Sequence, residues 1–115
     1  MEQIHAAGFV FNDLKLDNLL LDDVKNEAHL LKSDEVIFED LNINIIDFGY
    51  ATTYFKEDEK THIEKHSVEQ FRGNIMFSSV NKLRFRATSR RDDIISVFYI
   101  LIYMLKKGLM PGIDR

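Results

Sequence analysis

The feature that most constrains the fold is an apolar segment near the C-terminal end of the chain, at positions 94–105. Ser89 precedes it, with Asp92 three positions later, which is the capping-box pattern that begins a helix. Gly108 follows it, as glycine follows many helices. The segment is too short to span a bilayer, which takes about 20 residues. Because it is apolar on nearly every face, it predicts a helix buried in a protein core, with the lysines at 106–107 in its last turn.

Length and composition limit what can surround such a helix. The chain has 115 residues, of which 45% are hydrophobic and 30% charged, a globular composition that excludes extensive disorder. This length allows one small domain or a piece of a larger one. The chain has no cysteine, which excludes disulfides, cysteine-ligated zinc and a cysteine nucleophile. The net charge of −4 argues against a general binder of polyanions.

Shorter elements are predicted upstream of this helix. Positions 2–7 have a helical pattern that ends at Gly8. The apolar triplet at 19–21 and the Ile-rich stretch at 42–46 predict strands, and 36–38 predicts a third.

Polar residues cluster in two places that together suggest a chemistry. The first has the pattern Asp13-x-Lys15-x-x-Asn18, and the second begins with Asp47, directly after the strand at 42–46. Phosphoryl transfer needs a carboxylate to orient a hydroxyl, a cation on the transferred phosphate, and oxygen ligands for magnesium. These four side chains are of the types that could supply those groups.

At these positions the chain resembles a protein kinase. The segment 11–18, F-N-D-L-K-L-D-N, is similar to the H-R-D-L-K-P-E-N catalytic loop, and the D-F-G at 47–49 to the magnesium-binding motif. The resemblance implies that Asp13 is the catalytic base and that Lys15 contacts the γ-phosphate of ATP. It also implies that Asn18 and Asp47 bind the cofactor and ligate Mg²⁺.

Two later segments resemble the casein kinase I branch. Positions 71–81, F-R-G-N-I-M-F-S-S-V-N, are similar to the branch pattern G-T-A-R-Y-x-S-I-N, and 89–94, S-R-R-D-D-I, to S-R-R-D-D-L. By this alignment Asp93 is the helix-F aspartate that holds the catalytic-loop backbone. The resemblance covers nearly the whole chain and is weakest between 22 and 42.

The chain also departs from the pattern at several places. Asn12 replaces the arginine of H-R-D, so control through that arginine by activation-loop phosphorylation is not implied. Phe11 replaces the histidine, but an apolar ring can fill the same buried slot. Asn74 stands where the family has a threonine that contacts the catalytic aspartate. Met76 stands where the branch often has a basic residue that recognises phosphorylated substrates.

The resemblance implies an α+β, protein kinase-like fold. Residues 1–115 would form part of the C-terminal lobe, mainly α with a small β-hairpin. In order they would hold the end of helix E, the catalytic loop, D-F-G, the activation segment and helix F. No glycine-rich loop or ATP-pairing lysine precedes the catalytic loop, so the N-terminal lobe and the last helices are expected to be absent. We therefore expect a fragment that does not catalyse alone.

The implied function is transfer of the ATP γ-phosphoryl group to Ser or Thr of a protein. The alternative is a non-catalytic, pseudokinase-like module that binds a partner through apolar faces or a basic run. That run has no acidic residue, which predicts either a solvated surface or a site for acidic substrate segments, and less readily one for nucleic acid. It comprises Lys82, Arg84, Arg86, Arg90 and Arg91. With no signal peptide or membrane span recognised, a cytoplasmic or nuclear location is expected.

Overall fold

The structure, a computed structural model, describes residues 1–21, 42–58, 60–109 and 112. These residues form an α+β arrangement of short elements and one long helix. In chain order the elements are α1 (Glu2–Ala6), β1 (Phe9–Val10), a 3-10 helix (Leu16–Asn18), β2 (Leu19–Leu21), β3 (Ile43–Ile45), β4 (Thr52–Thr53), α2 (Val80–Leu83) and α3 (Arg90–Leu105). The strand predicted at 36–38 lies outside the described residues.

Helix α3 begins as the sequence predicts. The Ser89 side chain and the Asp92 side chain complete the capping box, with Ser89 N donating to Asp92 Oδ2 at 2.8 Å. This reciprocal pair satisfies backbone donors that the first turn of any helix leaves without partners. The capping prediction is confirmed.

The end of α3 differs from the prediction. The helix ends at Leu105, and Lys106 and Lys107 lie in the turn that follows rather than in the last helical turn. Lys107 has a φ of +54° and Gly108 of +88°. The Gly108 amide donates to the Tyr103 carbonyl at 2.8 Å and the Lys107 amide to the Met104 carbonyl at 3.1 Å, so the first left-handed residue after the helix is Lys107, one position before the glycine.

One side of α3 lies in the core of the described residues. The core cluster consists of Phe11, Leu14, Phe77 and Ile100, with the Tyr103 ring edge-on to Phe77 at 5.5 Å between ring centres. The opposite side carries exposed apolar side chains, among them Phe98 and Leu105, which are 60% and 82% exposed. The helix is therefore buried on one face, and its other apolar side chains are exposed in this chain, which offers too few residues to surround it.

Two small antiparallel sheets position the polar loop. Strands β2 and β3 form an antiparallel pair, with Leu19 opposite Ile45 and Leu21 opposite Ile43. Both strands lie where the Leu- and Ile-rich stretches predict them, and their pairing agrees with the small β-hairpin that the resemblance implies. Strands β1 and β4 also pair, with Phe9 opposite Thr53. This second pairing is not predicted by the sequence pattern, because strands this short carry no periodicity.

Among the described residues, no helix has both the length and the apolar character needed to cross a membrane.

Candidate active site

The backbone of the loop at 11–15 has no regular structure, and side chains from distant parts of the chain bind it. Asp93, in the first turn of α3, is only 2% exposed. Its Oδ2 accepts a hydrogen bond from the Phe11 amide at 2.7 Å, and its Oδ1 accepts one from the Asn12 amide at 2.9 Å. Asp93 therefore holds the backbone of this loop, which is the contact that the resemblance implies for it.

Three consecutive carbonyl oxygens of this loop each accept a hydrogen bond from a side chain. The pairs are Lys82 Nζ to the Asn12 oxygen, Asn18 Nδ2 to the Asp13 oxygen at 2.8 Å, and Asn74 Nδ2 to the Leu14 oxygen at 2.9 Å. Buried backbone groups outside helices and sheets need such partners. The loop is thus fixed by side chains instead of by a backbone ladder.

Asp13 and Asn18 lie together inside this framework. Both are buried, at 2% and 4% exposure. Asn18 Nδ2 also donates to Asp13 Oδ2, at 3.1 Å. Because its amide nitrogen is committed to Asp13, Asn18 has its amide oxygen left as the group that can bind an outside ligand.

Asp47 reaches the same end of the β2–β3 pair. The amide of Ile46 donates to the Asn18 carbonyl at 3.0 Å, so Asp47 follows directly after a residue bonded to Asn18. Asp47 is exposed and has a φ of +67°. Its Oδ1 accepts from the Gly49 amide at 3.3 Å. The Asp47 carboxylate is therefore exposed, and its residue follows the Ile46–Asn18 hydrogen bond directly in the chain.

Lys15 is the N-cap residue that precedes the 3-10 helix, and its carbonyl accepts from the Asn18 amide at 3.1 Å. Its side chain is half-buried and forms no ion pair with a carboxylate that the structure describes.

The residues that depart from the kinase pattern fit this framework. Phe11 is fully buried and lies edge-on to the Phe48 ring, with 5.2 Å between ring centres. This contact joins the loop to the D-F-G motif. Asn74 bonds to the Leu14 carbonyl and, through Oδ1, accepts from the Phe77 amide at 2.9 Å, so it holds loop backbone.

Asn12 has a φ of +71°, a conformation that asparagine tolerates better than most residues. Its Nδ2 donates to the Tyr50 carbonyl at 2.8 Å and to Thr52 Oγ1 at 2.9 Å. The Thr88 hydroxyl donates to its Oδ1. A neutral side chain therefore links the loop to β4 and to the residues before α3.

Two groups of this site, His5 and Lys82, give no sign of their role in the sequence. His5 Nε2 lies 2.8 Å from Asp93 Oδ2 and so links α1 to the same carboxylate. Lys82 was predicted to belong to an exposed basic run, but it is 8% exposed. Burial lowers the pKa of Lys82, and attraction to Asp13, Asp93 and Asp92 opposes that shift. No local pattern could have revealed this, because the neighbouring acidic groups come from other segments.

The remaining four cations of the basic run are exposed. The Arg90 guanidinium lies 4.5 Å from the centre of the Tyr54 ring. Arg86 pairs with Ser67 in an isolated antiparallel bridge and lines a cavity beside Asn12.

Comparison with known proteins agrees with this geometry. No protein-family model matches the chain. It is 32% identical over 112 residues to casein kinase 1-like protein HD16 of Oryza sativa, and 30% identical over 112 residues to casein kinase I homolog 1 of Saccharomyces cerevisiae. Each alignment covers 96% of this chain. The chain is a casein kinase I homologue.

A third relative, casein kinase I homolog 3 of Schizosaccharomyces pombe, is 29% identical over 111 residues, which is 95% of this chain. The chain spans 14%, 18% and 22% of the length of these three relatives. Homology to casein kinase I places it in a serine/threonine kinase family and implies a protein kinase-like fold.

Proposed function

We propose that this casein kinase I homologue contributes the catalytic-loop part of a serine/threonine kinase, namely part of the C-terminal lobe. The observation that supports this most is the buried Asp13 carboxylate, bonded to Asn18 and held by side chains that fix the backbone on both sides of it. A carboxylate fixed in this way can orient a substrate hydroxyl before it attacks.

In the proposed reaction the substrate hydroxyl oxygen attacks the γ-phosphorus of ATP and the bond to the ADP oxygen breaks. Asp13 accepts the hydroxyl proton. Lys15 contacts the γ-phosphate oxygens, whose charge a lysine ammonium offsets. Asp13 and Asn18 are built into the loop, whereas the Lys15 side chain has no ion pair with a described residue that would oppose this contact.

The side chains present fit a magnesium ion carried with the nucleotide. Asn18 offers its amide oxygen and Asp47 an exposed carboxylate, and the Ile46–Asn18 hydrogen bond brings the two residues to one end of the hairpin. Mg²⁺ prefers oxygen ligands and is often held by one or two protein groups together with substrate phosphates. The described residues contain no cluster of three His, Cys, Asp or Glu side chains that would hold the ion without phosphates. Bound there, Mg²⁺ would neutralise phosphate charge.

The proposed protein substrate carries an acidic segment near the Ser or Thr. A cavity of about 640 Å³ lies beside Asn12, and its lining includes cationic Arg72 and Arg86, together with His66 and Glu69. Arg84 and Arg91 are exposed nearby in sequence. Lys82 also lines the cavity, but its ammonium is bonded to the loop and does not offer an open surface charge.

The test begins with the native polypeptide that contains this sequence, isolated from source cells with an antibody to positions 57–70. The size of this polypeptide is measured first, because the proposed function needs a polypeptide much larger than 13.5 kDa. A polypeptide of that size is then assayed for transfer of labelled phosphate from ATP to an acidic Ser/Thr peptide. We expect Asp13→Asn to lower kcat by about 10²- to 10⁴-fold. Asp17→Asn, at an exposed carboxylate of the same loop, is the matched control and should stay within about twofold. Full activity of Asp13→Asn would refute the proposal.

A second candidate function, a non-catalytic binding module, is favoured by the exposed apolar side chains of α3, including Phe98 and Leu105. Under this alternative the native polypeptide is near 13.5 kDa. It forms a stable complex that tolerates Asp13→Asn and is weakened by Phe98→Ser.

A further inference from the structure

Lys82 in α2 is a buried ammonium without an ion pair. It is 8% exposed, and none of the described carboxylates forms a salt bridge with it. Its Nζ donates to the Asn12 carbonyl and lies 5.4 Å from the centre of the Phe71 ring. Burying an ammonium is costly unless it is compensated. The burial of this ammonium must therefore be offset by specific interactions with the surrounding residues.

The surrounding chain is shaped around this contact. Gly73 has a φ of +111°, and a Cβ atom there would lie 2.6 Å from the Asn12 carbonyl oxygen and would collide with Lys82 Nζ. The backbone of the activation segment thus passes directly over the Lys82–Asn12 hydrogen bond. Glycine is the residue that permits both the left-handed φ and this close approach.

The charges near Lys82 explain why an ammonium is tolerated there. Three buried carboxylates, those of Asp13, Asp92 and Asp93, attract it electrostatically. Asp93 already has His5 as a partner at 2.8 Å. Asp13 has the neutral Asn18 amide as its hydrogen-bond donor. Lys82 therefore brings a full positive charge into a region where Asp13 otherwise contacts a neutral group.

Lys82 is also distinct among the side chains that donate to the loop carbonyls. The donors to Asp13 and Leu14 are the neutral amides of Asn18 and Asn74, whereas the donor to Asn12 is charged. Hydrogen bonds from a charged donor are roughly twice as strong as neutral ones. The bond from Lys82 holds the peptide group that joins Asn12 to Asp13. Position 12 itself, an arginine in the kinase pattern, is neutral here.

We propose that Lys82 is a positioning residue: it fixes the Asn12–Asp13 peptide group and, with its buried charge, holds the Asp13 carboxylate in one orientation. The catalytic meaning of this role rests on the proposed function. The orientation itself is a property of the 115-residue chain and can be measured without ATP or a substrate.

The experiment compares Lys82→Met with the native chain by nuclear magnetic resonance. The methionine side chain is similar in length to that of lysine and is apolar like the lysine methylene chain. It has neither a charge nor a hydrogen-bond donor. Two signals are followed: the Asn12 carbonyl carbon, and the couplings across the Asp13 Cα–Cβ bond. In Lys82→Met we expect an upfield shift at Asn12 that exceeds any other in the loop, because that carbonyl loses its donor. We also expect the Asp13 couplings to change from one rotamer to an average of several.

Controls separate positioning from packing. Lys65→Met, at an exposed lysine, should leave both signals unchanged. Lys82→Arg keeps the charge and donors and should restore a single Asp13 rotamer. If Lys82→Met loses its dispersed spectrum, Lys82→Gln replaces it. The glutamine amide can still donate to the Asn12 carbonyl but has no charge, so the expected change is then in the Asp13 couplings alone. An unchanged Asp13 rotamer in the neutral variant, or equal effects of methionine and arginine, would overturn the proposal. A chain without kinase activity would refute the proposed function but leave this result intact.

Discussion

The loop at 11–18 and the segment at 47–73 carry the two halves of the proposed chemistry, and they are held in different ways. In the loop, Phe11, Asp13, Leu14 and Asn18 are each less than 5% exposed, and their partners lie up to 82 positions away in sequence. In the segment most residues are exposed, and several side-chain hydrogen bonds join near neighbours, as in Asp47 with Gly49.

This difference separates a proposed catalytic group that needs no rearrangement when a ligand binds, Asp13, from one that does, Asp47. The proposed base is oriented before any ligand arrives, which is the part of catalysis that long-range contacts can supply. The proposed magnesium carboxylate is exposed, and its ligand geometry depends on what binds to it. Asn12 joins the two regions, through Tyr50 and Thr52 on one side and Asp93 on the other.

The largest effect is expected from Asp93→Asn, which weakens the contacts that hold the loop at 11–18. Asp93 accepts from two loop amides and contacts His5, and an asparagine can replace only part of this set. Hydrogen bonds to a buried charged acceptor are worth about 1.5–3 kcal/mol each. We therefore expect a loss of about 3 kcal/mol or more in the free energy of unfolding, measured by urea denaturation.

Asp17→Asn is the matched control, because Asp17 is an exposed carboxylate of the same loop. It should change stability by less than about 0.5 kcal/mol. Equal effects of the two substitutions would mean that the loop is not held from α3.

A smaller effect is expected from Asn12→Ala, which removes the side-chain hydrogen bonds between the loop at 11–18 and the segment at 47–73. The substitution removes the bonds to Tyr50, Thr52 and Thr88, which are partly exposed, and places alanine at a positive φ. We expect a loss of about 1–2 kcal/mol by urea denaturation. Hydrogen exchange should show faster opening at 50–53 than at 13–18.

Asn12→Gly separates the two contributions. Glycine accepts the positive φ without strain, so it should recover part of the loss while the segment at 50–53 stays unprotected. Recovery of that protection by glycine would show that the side-chain bonds do not join the regions.

The same contrast explains how far the sequence could predict this site. The capping box at Ser89 and the strands β2 and β3 depend on neighbouring residues or on local periodicity, and all of them were predicted. The anchoring role of Asp93 came from the kinase resemblance. The wrong interpretation of Lys82 has a physical cause: five cations with no acid among them favour solvent.

The acidic partners of Lys82 come from the loop and from α3, and only the fold brings them together. His5 was missed for a related reason. A single histidine in a short helix gives no signal, and its partner is 88 positions away. Groups that act through long-range contacts are thus the ones a single sequence conceals, and in this molecule those contacts hold the loop.

The smallest effect concerns the exposed segment and tests whether its order is local. The pKa of Asp58 is lowered from 3.8, first by the Thr61 hydroxyl and then by the Thr61 and Lys60 amides. A lowered folded pKa means that this turn gains stability above the pKa of the unfolded state and loses it as the pH falls through the folded pKa. Thr61→Ala removes the largest cause, so the titration midpoint of the Asp58 carboxyl carbon should rise towards 3.8.

Amide exchange at 11–18 should stay unchanged, because no described contact of Asp58 reaches the loop. A change there would show that the two regions are coupled through this turn, and the contrast drawn between them would fail.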